Sequence, residues 1–286
     1  MPRVLVTGSL GNVGREVVRA CAERGLAVRV AGRSEQALRQ SFPGFEPVRF
    51  DFEAPETWPA ALAGCDFVFL LRPPALANMT VTLNPFVDAA YAAGVRHIVF
   101  VSVAGADQMK WVPHRKVELH LEASGSAWTV LRPGFFAQNL QDAYRRDIVE
   151  EGRIFLPAAA GKVAFLDVRD AAEVTACILS APEKYRGQAL TLTGPEAIPF
   201  ETVAQLLTQA LGRPIRYQAA SILGYGWHLH RQRQMPWMQI VVQTVLHVGL
   251  RRGGAEQVVP TVEQLLGRRP TSLAAYIERA CATWQT

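Results

Sequence analysis

The sequence lacks closely spaced cysteines. Its four cysteines, Cys21, Cys65, Cys177 and Cys281, are far apart in a chain of 286 residues. This spacing does not indicate a zinc cluster or a disulfide framework. Unpaired cysteines are typical of a reducing compartment, so we expect a cytoplasmic protein without a structural metal.

The sequence also lacks an apolar run long enough to cross a bilayer, which needs about 20 residues. The most apolar late stretch, from Trp237 to Leu250, is interrupted by Gln239, Gln243 and His247, and it predicts a buried or pocket-lining helix. Charged residues interrupt the first helical segment, so we expect no signal peptide. On these grounds we expect no membrane partner.

Concentrated charge is absent as well. The formal net charge is +5, but the positive residues are mostly arginines that are scattered through the chain. Because there is no basic helix and no lysine tract, the pattern disfavours a nucleic-acid partner. The excess of positive charge is compatible with attraction of a small anionic ligand. There is no internal repeat or low-complexity linker, and an oligomer is compatible with the sequence.

What is present is a glycine-rich turn near the amino terminus. A short apolar run, Val4 to Val6, leads into Gly8, Gly11 and Gly14, and an amphipathic segment follows. This order predicts a strand, a tight turn and a helix, in which Gly11 leaves room for a pyrophosphate and Gly14 lets the helix pack closely. The free N–H groups at the start of such a helix favour phosphate. The predicted dinucleotide-binding residues of this turn are Gly8, Ser9, Leu10, Gly11, Asn12, Val13 and Gly14.

The second predicted strand, Ala27 to Ala31, ends near Arg33. In folds of this type an acidic residue at this point binds the 2′-hydroxyl of NAD, whereas an arginine accommodates the 2′-phosphate of NADP. Arg33 therefore predicts NADP(H) as the cofactor. The third predicted strand runs from Pro47 to Phe52, so we expect Asp51 and Phe52 near the adenine.

Further cofactor residues are predicted at the carboxyl ends of later strands. The apolar run from Cys65 to Leu71 is typical of a central parallel strand, and it stops at Arg72 and Pro73. Ligands of a doubly wound sheet lie outside such ends. The predicted residues are Leu71, Arg72 and Pro73, then Ser102 for the nicotinamide ribose, and then Pro133, Gly134 and Phe135 of an apolar loop suited to cover the nicotinamide.

Strands alternate with helices over about 130 residues, which predicts parallel βαβ units. The fold class is therefore α/β, with an extended doubly wound parallel sheet and a smaller, mainly helical carboxyl-terminal lobe. We expect a dinucleotide-binding domain over residues 1–196 and a substrate-covering lobe over residues 197–286.

Four segments together resemble the NmrA-like family of atypical short-chain dehydrogenase/reductases. They are TGSLGNVG with the tip residue Ser102, HRKVELHLEASGSAWTVLRPGFFAQN, FLDVRDAAEV, and TLTGPEAIPFETVAQLLTQALGRPIRY. The resemblance covers about the first three quarters of the chain. It implies an NAD(P)-binding Rossmann domain. Some members of the family are reductases of quinones, dyes or aromatic rings, and others bind the nucleotide and report redox state to a partner protein.

The chain departs from the ordinary short-chain dehydrogenases in one respect: no tyrosine is followed by lysine four residues later. Many NmrA-like proteins carry a lysine near the start of the helix that precedes the strand of the LRPGFF-like motif. The resemblance places His114 at that position, with Lys116 two residues on. Both are catalytic candidates, with His114 as a general acid near neutral pH and Lys116 as the holder of a ribose hydroxyl or an acceptor oxygen.

We expect an NADPH-dependent reductase that passes hydride to a flat conjugated acceptor, such as a quinone or a polycyclic aromatic ketone. The alternatives are a non-catalytic redox sensor that acts on a protein partner, and a tailoring reductase or oxygenase of aromatic natural products. The substrate candidates are aromatic or polar residues of the apolar loop and the late lobe. They are Phe136, Asn139, Tyr225 and Trp227. His228 and His230 suggest no third metal ligand, so we expect both to have packing roles.

Overall fold

The computed structural model describes residues 1–109 and 111–285. The chain forms two compact units that are both discontinuous in sequence. The first unit comprises Met1–Pro133, Val168–Leu192 and Thr261–Arg268, and the second comprises Gly134–Asp167, Thr193–Pro260 and Arg269–Thr286. The division into a dinucleotide-binding domain over residues 1–196 and a substrate-covering lobe over residues 197–286 stays a prediction. The two compact units, in contrast, each consist of three separate segments that alternate along the chain.

Strands and helices alternate through most of the chain. The strands are β1 (Arg3–Val6), β2 (Ala27–Gly32), β3 (Glu46–Arg49), β4 (Phe67–Leu71), β5 (His97–Val101), β6 (Trp128–Pro133), β7 (Phe135–Phe136), β8 (Arg153–Leu156), β9 (Lys162–Val163), β10 (Phe165–Leu166), β11 (Gln188–Leu192), β12 (Ile198–Pro199) and β13 (Arg216–Ala219). The α-helices are α1 (Asn12–Glu23), α2 (Glu35–Ser41), α3 (Trp58–Leu62), α4 (Leu83–Ala92), α5 (Pro113–Ala123), α6 (Arg145–Glu151), α7 (Val168–Ser180), α8 (Phe200–Leu211), α9 (Ile222–Arg231), α10 (Trp237–Leu250), α11 (Thr261–Leu266) and α12 (Leu273–Ala280).

The first unit is built on a seven-stranded sheet in the order β11-β6-β5-β4-β1-β2-β3. All neighbouring strands are parallel. The predicted doubly wound sheet is therefore confirmed. The order reverses at β1, since β2 and β3 lie on one side of it and β4 to β6 on the other. In such sheets the crevice at the carboxyl ends next to the reversal point is where ligands bind.

Helices cover the sheet because its central strands are apolar throughout. Val68, Phe69 and Leu70 of β4 are completely buried, as the unbroken apolar run predicts. The core cluster on one side joins sheet residues to α3, α4 and α5, with Phe86 of α4 among four aromatic rings. Helix α1 packs against α7.

The second unit contains three small pairs of strands and several helices. Strand β7 is parallel to β10, β8 is parallel to β13, and β9 is antiparallel to β12. Its core cluster includes the fully buried Phe200 and Trp284, and the Trp284 indole donates to the Leu140 carbonyl at 3.0 Å. The mostly apolar run from Val163 to Val168 is typical of a single strand. Here, however, β9 and β10 are separate strands with different partners, and α7 already begins at Val168.

Helix α10 has the predicted bounds but not the predicted burial. Ile240, His247 and Leu250 are buried, whereas Met238, Val241 and Val245 are more than half exposed. The interpretation of this segment as a buried helix is therefore wrong for its outer face, and the alternative of a pocket-lining helix stays a prediction. Among the described residues, none of the helices combines the length and the apolar character that a bilayer crossing requires.

Candidate functional site

The amino-terminal turn has the geometry that its glycines predict. Gly8 has φ +65°, a left-handed conformation that costs glycine little. The Gly11 N–H donates to the Gly8 carbonyl at 3.0 Å, which closes the turn. A Cβ built on Gly14 would lie 2.2 Å from the Gly8 oxygen, so any side chain at Gly14 would collide with the turn's backbone.

The start of α1 leaves backbone donors available. The N-cap residue is Gly11, which has no side chain, and no side-chain cap bond is made to the helix. Arg15 makes the first helical bond, to the Gly11 carbonyl at 2.9 Å, so the N–H groups of Val13 and Gly14 have no helical acceptor. Gly8 and Gly11 are exposed, as are Leu10 and Asn12, and Val13 is half-buried. Donors of this kind, together with the helix dipole, make a site for an anion.

Two hydroxyls fix this turn to the neighbouring strands. Thr7 donates to the Phe69 carbonyl at 3.0 Å and accepts from the Leu71 N–H at 2.9 Å, which ties β1 to β4. Ser9 donates to the Val6 carbonyl at 2.6 Å and accepts from the Ala31 N–H at 3.1 Å, which ties β1 to β2.

Both hydroxyls are fully buried. The ligand role predicted for Ser9 therefore falls to its backbone, since its hydroxyl is engaged within the protein. The analysis of the sequence missed Thr7, because a threonine after a strand carries no signal for this bridge.

Beyond β2, the predicted residues differ in what they expose. Arg33 is exposed, and no ion pair involves it in the described part of the chain. Asp51 is half-buried and accepts from the Glu53 N–H at 3.0 Å. The Phe52 ring is buried and packs edge-to-face on Phe50 at 4.8 Å. Its side chain therefore belongs to the core, and contact with an adenine would fall to its backbone.

At the end of β4, Leu71 covers the glycine turn. Its Cδ2 atom lies 3.0 Å from where a Cβ on Gly8 would be. The next residue, Arg72, donates to the carbonyls of Pro73 at 3.2 Å and Pro74 at 3.3 Å, and to that of Leu76. Across residues 1–109 and 111–285, no carboxylate is within ion-pair distance of Arg72. The Arg72 guanidinium therefore holds the loop after β4 through these carbonyls, and none of the described carboxylates neutralises its positive charge.

His114 does not have the protonation state that was expected. Its Nε2 atom accepts a hydrogen bond from the Arg72 Nε at 3.1 Å, so Nε2 carries no proton. Burial, together with the Arg72 charge, lowers the pKa of His114 to about 4. A neutral imidazole near pH 7 is a poor general acid, and the hypothesis that His114 titrates near neutrality is wrong. Lys116, two residues on in α5, is exposed to solvent.

A buried charged cluster lies at the carboxyl ends of β5 and β6. Ser102 donates to Glu118 Oε1 at 2.5 Å. Arg132 binds both oxygens of Glu118, at 3.1 and 2.8 Å, and Arg115 donates to Oε2 at 2.9 Å. Asp107 contacts Arg132 at 3.3 Å. We call Ser102, Asp107, Arg115, Glu118 and Arg132 the Glu118 cluster.

The cluster keeps its central carboxylate ionised. Burial by itself would raise the pKa of Glu118, but the hydrogen bonds from Arg132, Ser102 and Arg115 outweigh it, and the net shift is downward. Glu118 is completely buried and Ser102 nearly so. The Ser102 hydroxyl proton is thus already used within the protein, which leaves only acceptor capacity for the predicted ribose contact. Ser102 could be found from the sequence, whereas the other four residues of the Glu118 cluster could not.

The loop after β6 passes from the first unit to the second. Pro133 is buried, and its carbonyl accepts from the Ala104 N–H at 3.0 Å. Gly134 and Phe136 are half-buried, and so is Phe135, whose ring packs edge-to-face on Phe165 at 5.5 Å. The predicted contacts of Pro133, Gly134 and Phe135 with a nicotinamide stay predictions.

The predicted substrate residues of the second unit lie in different environments. Asn139 is half-buried, and its carbonyl accepts from the Tyr144 N–H at 3.1 Å. Tyr225 is buried in the core cluster, where desolvation raises its pKa, and its hydroxyl donates to Gln243 at 3.3 Å. Trp227 is exposed and lies under the Arg231 guanidinium at 4.6 Å. Tyr225 thus serves the core, and Trp227 faces solvent.

The two late histidines are also separated from each other. His230 stacks on Trp237 at 4.4 Å. His228 and Asp147 are buried and Glu151 is exposed, and the three offer ligand atoms within 4.8 Å of one another. Possible further ligands therefore exist beside His228, which the sequence did not suggest. The guanidinium of Arg233, however, already binds Asp147 and lies 3.6 Å from Glu151. The protein itself supplies the positive charge at this place, and a metal-free protein stays a prediction.

Comparison with known proteins places these features in a wider set. The model of the NmrA-like family matches residues 2–236 of this chain. An NAD(P)H azoreductase of Xenophilus azovorans is 36% identical over 228 residues, which is 77% of this chain and 77% of that protein.

Solved structures resemble the fold. A Citrobacter sp. triphenylmethane reductase complexed with NADP(H) has a TM-score of 0.86 at 21% identity, over 98% of this chain and all of the other. An NADPH-dependent quinone oxidoreductase of Escherichia coli complexed with NADPH has a TM-score of 0.86 at 23% identity, over 97% of this chain and 99% of the other.

Proposed function

The chain belongs to the NmrA-like family, and on that premise we propose that it is an NADPH-dependent reductase of flat conjugated acceptors. The observation that carries the proposal is the turn between β1 and α1. There the N-cap glycine leaves backbone donors open, and Gly14 permits a helix–turn contact that no other residue would allow. Such a turn, next to the strand-order reversal, suits the pyrophosphate of a dinucleotide.

The residues present fit NADP(H) better than NAD(H). The segment after β2 presents the exposed Arg33 and no carboxylate before Glu35. A guanidinium is a planar donor that matches phosphate oxygens, and it remains charged at any physiological pH. Arg33 would hold the 2′-phosphate, and the first turn of α1 would hold the pyrophosphate. When bound, the nicotinamide cofactor supplies the hydride.

The side chains of the candidate site are better suited to orient and polarise a ligand than to donate a proton to it. His114 is neutral and accepts from Arg72, and the Glu118 cluster holds its carboxylate ionised. A quinone suits these groups, because reduction by hydride gives a hydroquinone anion that takes its proton from water. A quinone therefore needs a proton donor in the protein less than a simple ketone or aldehyde does, for which a protein acid normally assists the reduction.

The class of acceptor is supported by the relatives. They include an azoreductase, a triphenylmethane reductase and a quinone oxidoreductase. Azo dyes, triphenylmethane dyes and quinones are all extended conjugated systems. We propose the same class of acceptor for this chain, bound with the help of Phe136 and Asn139.

The test is turnover with a panel of acceptors. Purified protein is mixed with NADPH or NADH and with menadione, an azo dye or a triphenylmethane dye, and the nicotinamide absorbance is followed. We expect oxidation of NADPH by at least one of these acceptors and a clear preference for NADPH over NADH. A Gly11→Ala variant serves as the binding-deficient control: its methyl would occupy the room predicted for the pyrophosphate, and the turn should still close because that methyl would lie 3.4 Å from the Gly8 oxygen.

Two results would contradict the proposal in different ways. Tight binding of NADPH without oxidation by any acceptor would favour a non-catalytic sensor that acts through a protein partner. Failure of calorimetry to detect binding of either nucleotide would reject the dinucleotide site itself. We further propose a cytoplasmic location, which the free thiols of all four cysteines support.

A further inference from the structure

Helices α9 and α10 of the second unit present a continuous apolar surface to solvent. On α10, Met238, Val241, Val242 and Val245 recur at the spacing that keeps side chains on one side of a helix. Large apolar side chains that are more than half exposed form this surface, which we call the apolar face. They are Leu223, Trp227, Trp237, Met238, Val241, Val242, Val245 and Leu246.

The two helices form an antiparallel hairpin, so their outer sides share one surface. His230, near the end of α9, stacks on Trp237 at the start of α10, at 4.4 Å. Tyr225, nearer the start of α9, donates to Gln243 in the middle of α10 at 3.3 Å. Both helices bury the opposite side, for example at Leu229 and Ile240.

An apolar face of this kind indicates an occupant. Soluble monomers rarely expose contiguous apolar patches larger than a few hundred Å², and larger patches mark interaction sites. Eight large apolar side chains, each more than half exposed, lie on these two adjacent helices, so the apolar face is a clustered surface and not scattered exposure. Solitary exposed residues such as Val81, in contrast, need no explanation.

The charge around the apolar face identifies the occupant's chemistry. Residues 202–255 contain no aspartate or glutamate, although the whole chain has 25. Since the net charge of the chain is +5, the rest of the chain is slightly negative, and the positive charge is concentrated in this stretch. Its six arginines are Arg213, Arg216, Arg231, Arg233, Arg251 and Arg252.

Three of these arginines border the apolar face at both ends of the hairpin. Arg231 ends α9 and lies over the Trp227 ring at 4.6 Å. Arg251 and Arg252 follow α10 directly, and both are exposed. Arg233, by contrast, is bound to Asp147 and is mostly buried. The face therefore combines apolar side chains, two exposed tryptophans and a border of free positive charge.

We propose that the apolar face docks on an anionic lipid surface, in place of the expectation from the sequence that no membrane is a partner. Tryptophans and arginines beside apolar residues are typical of helices that lie in the plane of a bilayer interface. Such a helix needs no membrane-spanning length, so the 14 residues of α10 suffice. The absence of acidic residues from residues 202–255 argues against a second copy of this chain, because two such faces would bring their arginines together.

This docking would give the reductase access to acceptors dissolved in the bilayer, a consequence that rests on the proposed function. Flat conjugated quinones partition into lipid because of their apolar surface. The docking itself is measured without any acceptor or nucleotide. Failure of the docking and failure of the reductase proposal are therefore distinguishable.

The experiment is co-flotation of the full chain with lipid vesicles. We expect the protein to float with vesicles of phosphatidylcholine and phosphatidylglycerol, to float much less with phosphatidylcholine alone, and to be released by high salt. Arg251→Gln with Arg252→Gln should weaken binding by about 25-fold, since each arginine near an anionic surface contributes about fivefold. The matched control, Arg24→Gln with Arg186→Gln, removes the same net charge elsewhere and should leave binding unchanged.

A second variant tests the apolar part. Met238→Gln with Val245→Gln should weaken binding at least tenfold without changing the circular dichroism, because both side chains are exposed. Val81→Gln, at an exposed valine outside the hairpin, should have no effect. Equal binding of the wild type to neutral and anionic vesicles would overturn the proposal. Absence of vesicle binding, together with a concentration-dependent dimer that Met238→Gln with Val245→Gln dissociates, would also overturn it. A second copy of the chain would then cover the apolar face.

Discussion

Two places at the carboxyl edge of the same sheet differ in whether their polar groups are left open or are paired within the protein. At the turn between β1 and α1, side chains are missing: Gly11 has none to cap the helix, and Gly14 has none to separate helix from turn. At the ends of β5 and β6, the Glu118 cluster joins two arginines, a serine and two carboxylates through contacts of 2.5 to 3.3 Å. The first place leaves backbone donors open to a ligand, and the second satisfies its own polar groups.

The comparison shows where each place can fail. An open backbone site depends on small size, so a larger side chain blocks it. A filled polar cluster depends on complete pairing, since removal of one member leaves buried charge without compensation. Substitutions at the turn should therefore affect nucleotide binding, and substitutions in the cluster should first affect stability.

The largest effect is expected from Gly14→Val. The first side-chain atom alone would lie 2.2 Å from the Gly8 oxygen, so helix and turn would have to separate. We expect NADPH binding to become undetectable by calorimetry. Gly249→Val is a control in α10, where an added Cβ meets nothing within 4 Å. Unchanged NADPH affinity in Gly14→Val would remove the turn from the site.

The next effect is expected from Glu118→Gln. It leaves Arg115 and Arg132 without their buried carboxylate, which should lower the free energy of unfolding by about 3 kcal/mol. Glu122→Gln is matched, since Glu122 also binds Arg115 but is partly exposed, and it should cost less than about 1 kcal/mol. Denaturant unfolding measures both. Equal losses would mean that the cluster is not a special source of stability.

The same variant has a signature in pH. The folded-state pKa of Glu118 lies below the usual 4.5, so its contribution is present above pH 4.5 and is lost as the pH falls through the folded value. Glu118→Gln should therefore flatten the acid side of the stability curve. An unchanged slope below pH 4.5 would contradict an ionised Glu118.

A smaller and more selective effect is expected from Arg33→Ala. Loss of a charge-assisted contact with the 2′-phosphate is worth about 2 kcal/mol, so the Kd for NADPH should rise about 30-fold. The Kd for NADH should change less than threefold, because NADH has no 2′-phosphate. Arg24→Ala, an exposed arginine at the end of α1, is the control. Equal weakening of both nucleotides would reject the role of Arg33.

The smallest effect on turnover is expected from His114→Asn. Because the folded pKa of about 4 lies below the usual 6.5, His114 is neutral at pH 7, and turnover between pH 6 and 8 should change less than about threefold. Stability should respond instead. The unfolded state takes up a proton as the pH falls from 6.5 towards 4, and His114→Asn should reduce the resulting loss of stability. A large loss of turnover with a shifted pH optimum would restore His114 as the acid.

The sequence predicted what depends on neighbours along the chain. The glycine turn could be predicted because Gly8, Gly11 and Gly14 act on one local stretch of backbone. Strands such as β4 could be predicted because their apolar runs persist in any surroundings. The protonation of His114 could not be predicted, since it depends on Arg72, 42 residues away. The burial of Tyr225 and the open side of α10 likewise depend on how distant helices pack.

The sequence by itself determined the parallel α/β sheet and the position of the nucleotide turn, because glycine spacing and apolar periodicity act within a few residues. Only the tertiary structure decided which polar groups are free. It engaged Ser102 with Glu118, buried the Phe52 ring and left Arg33 exposed. Hydrogen bonds and desolvation act over a few ångströms in space, and the residues that they join lie far apart along the chain.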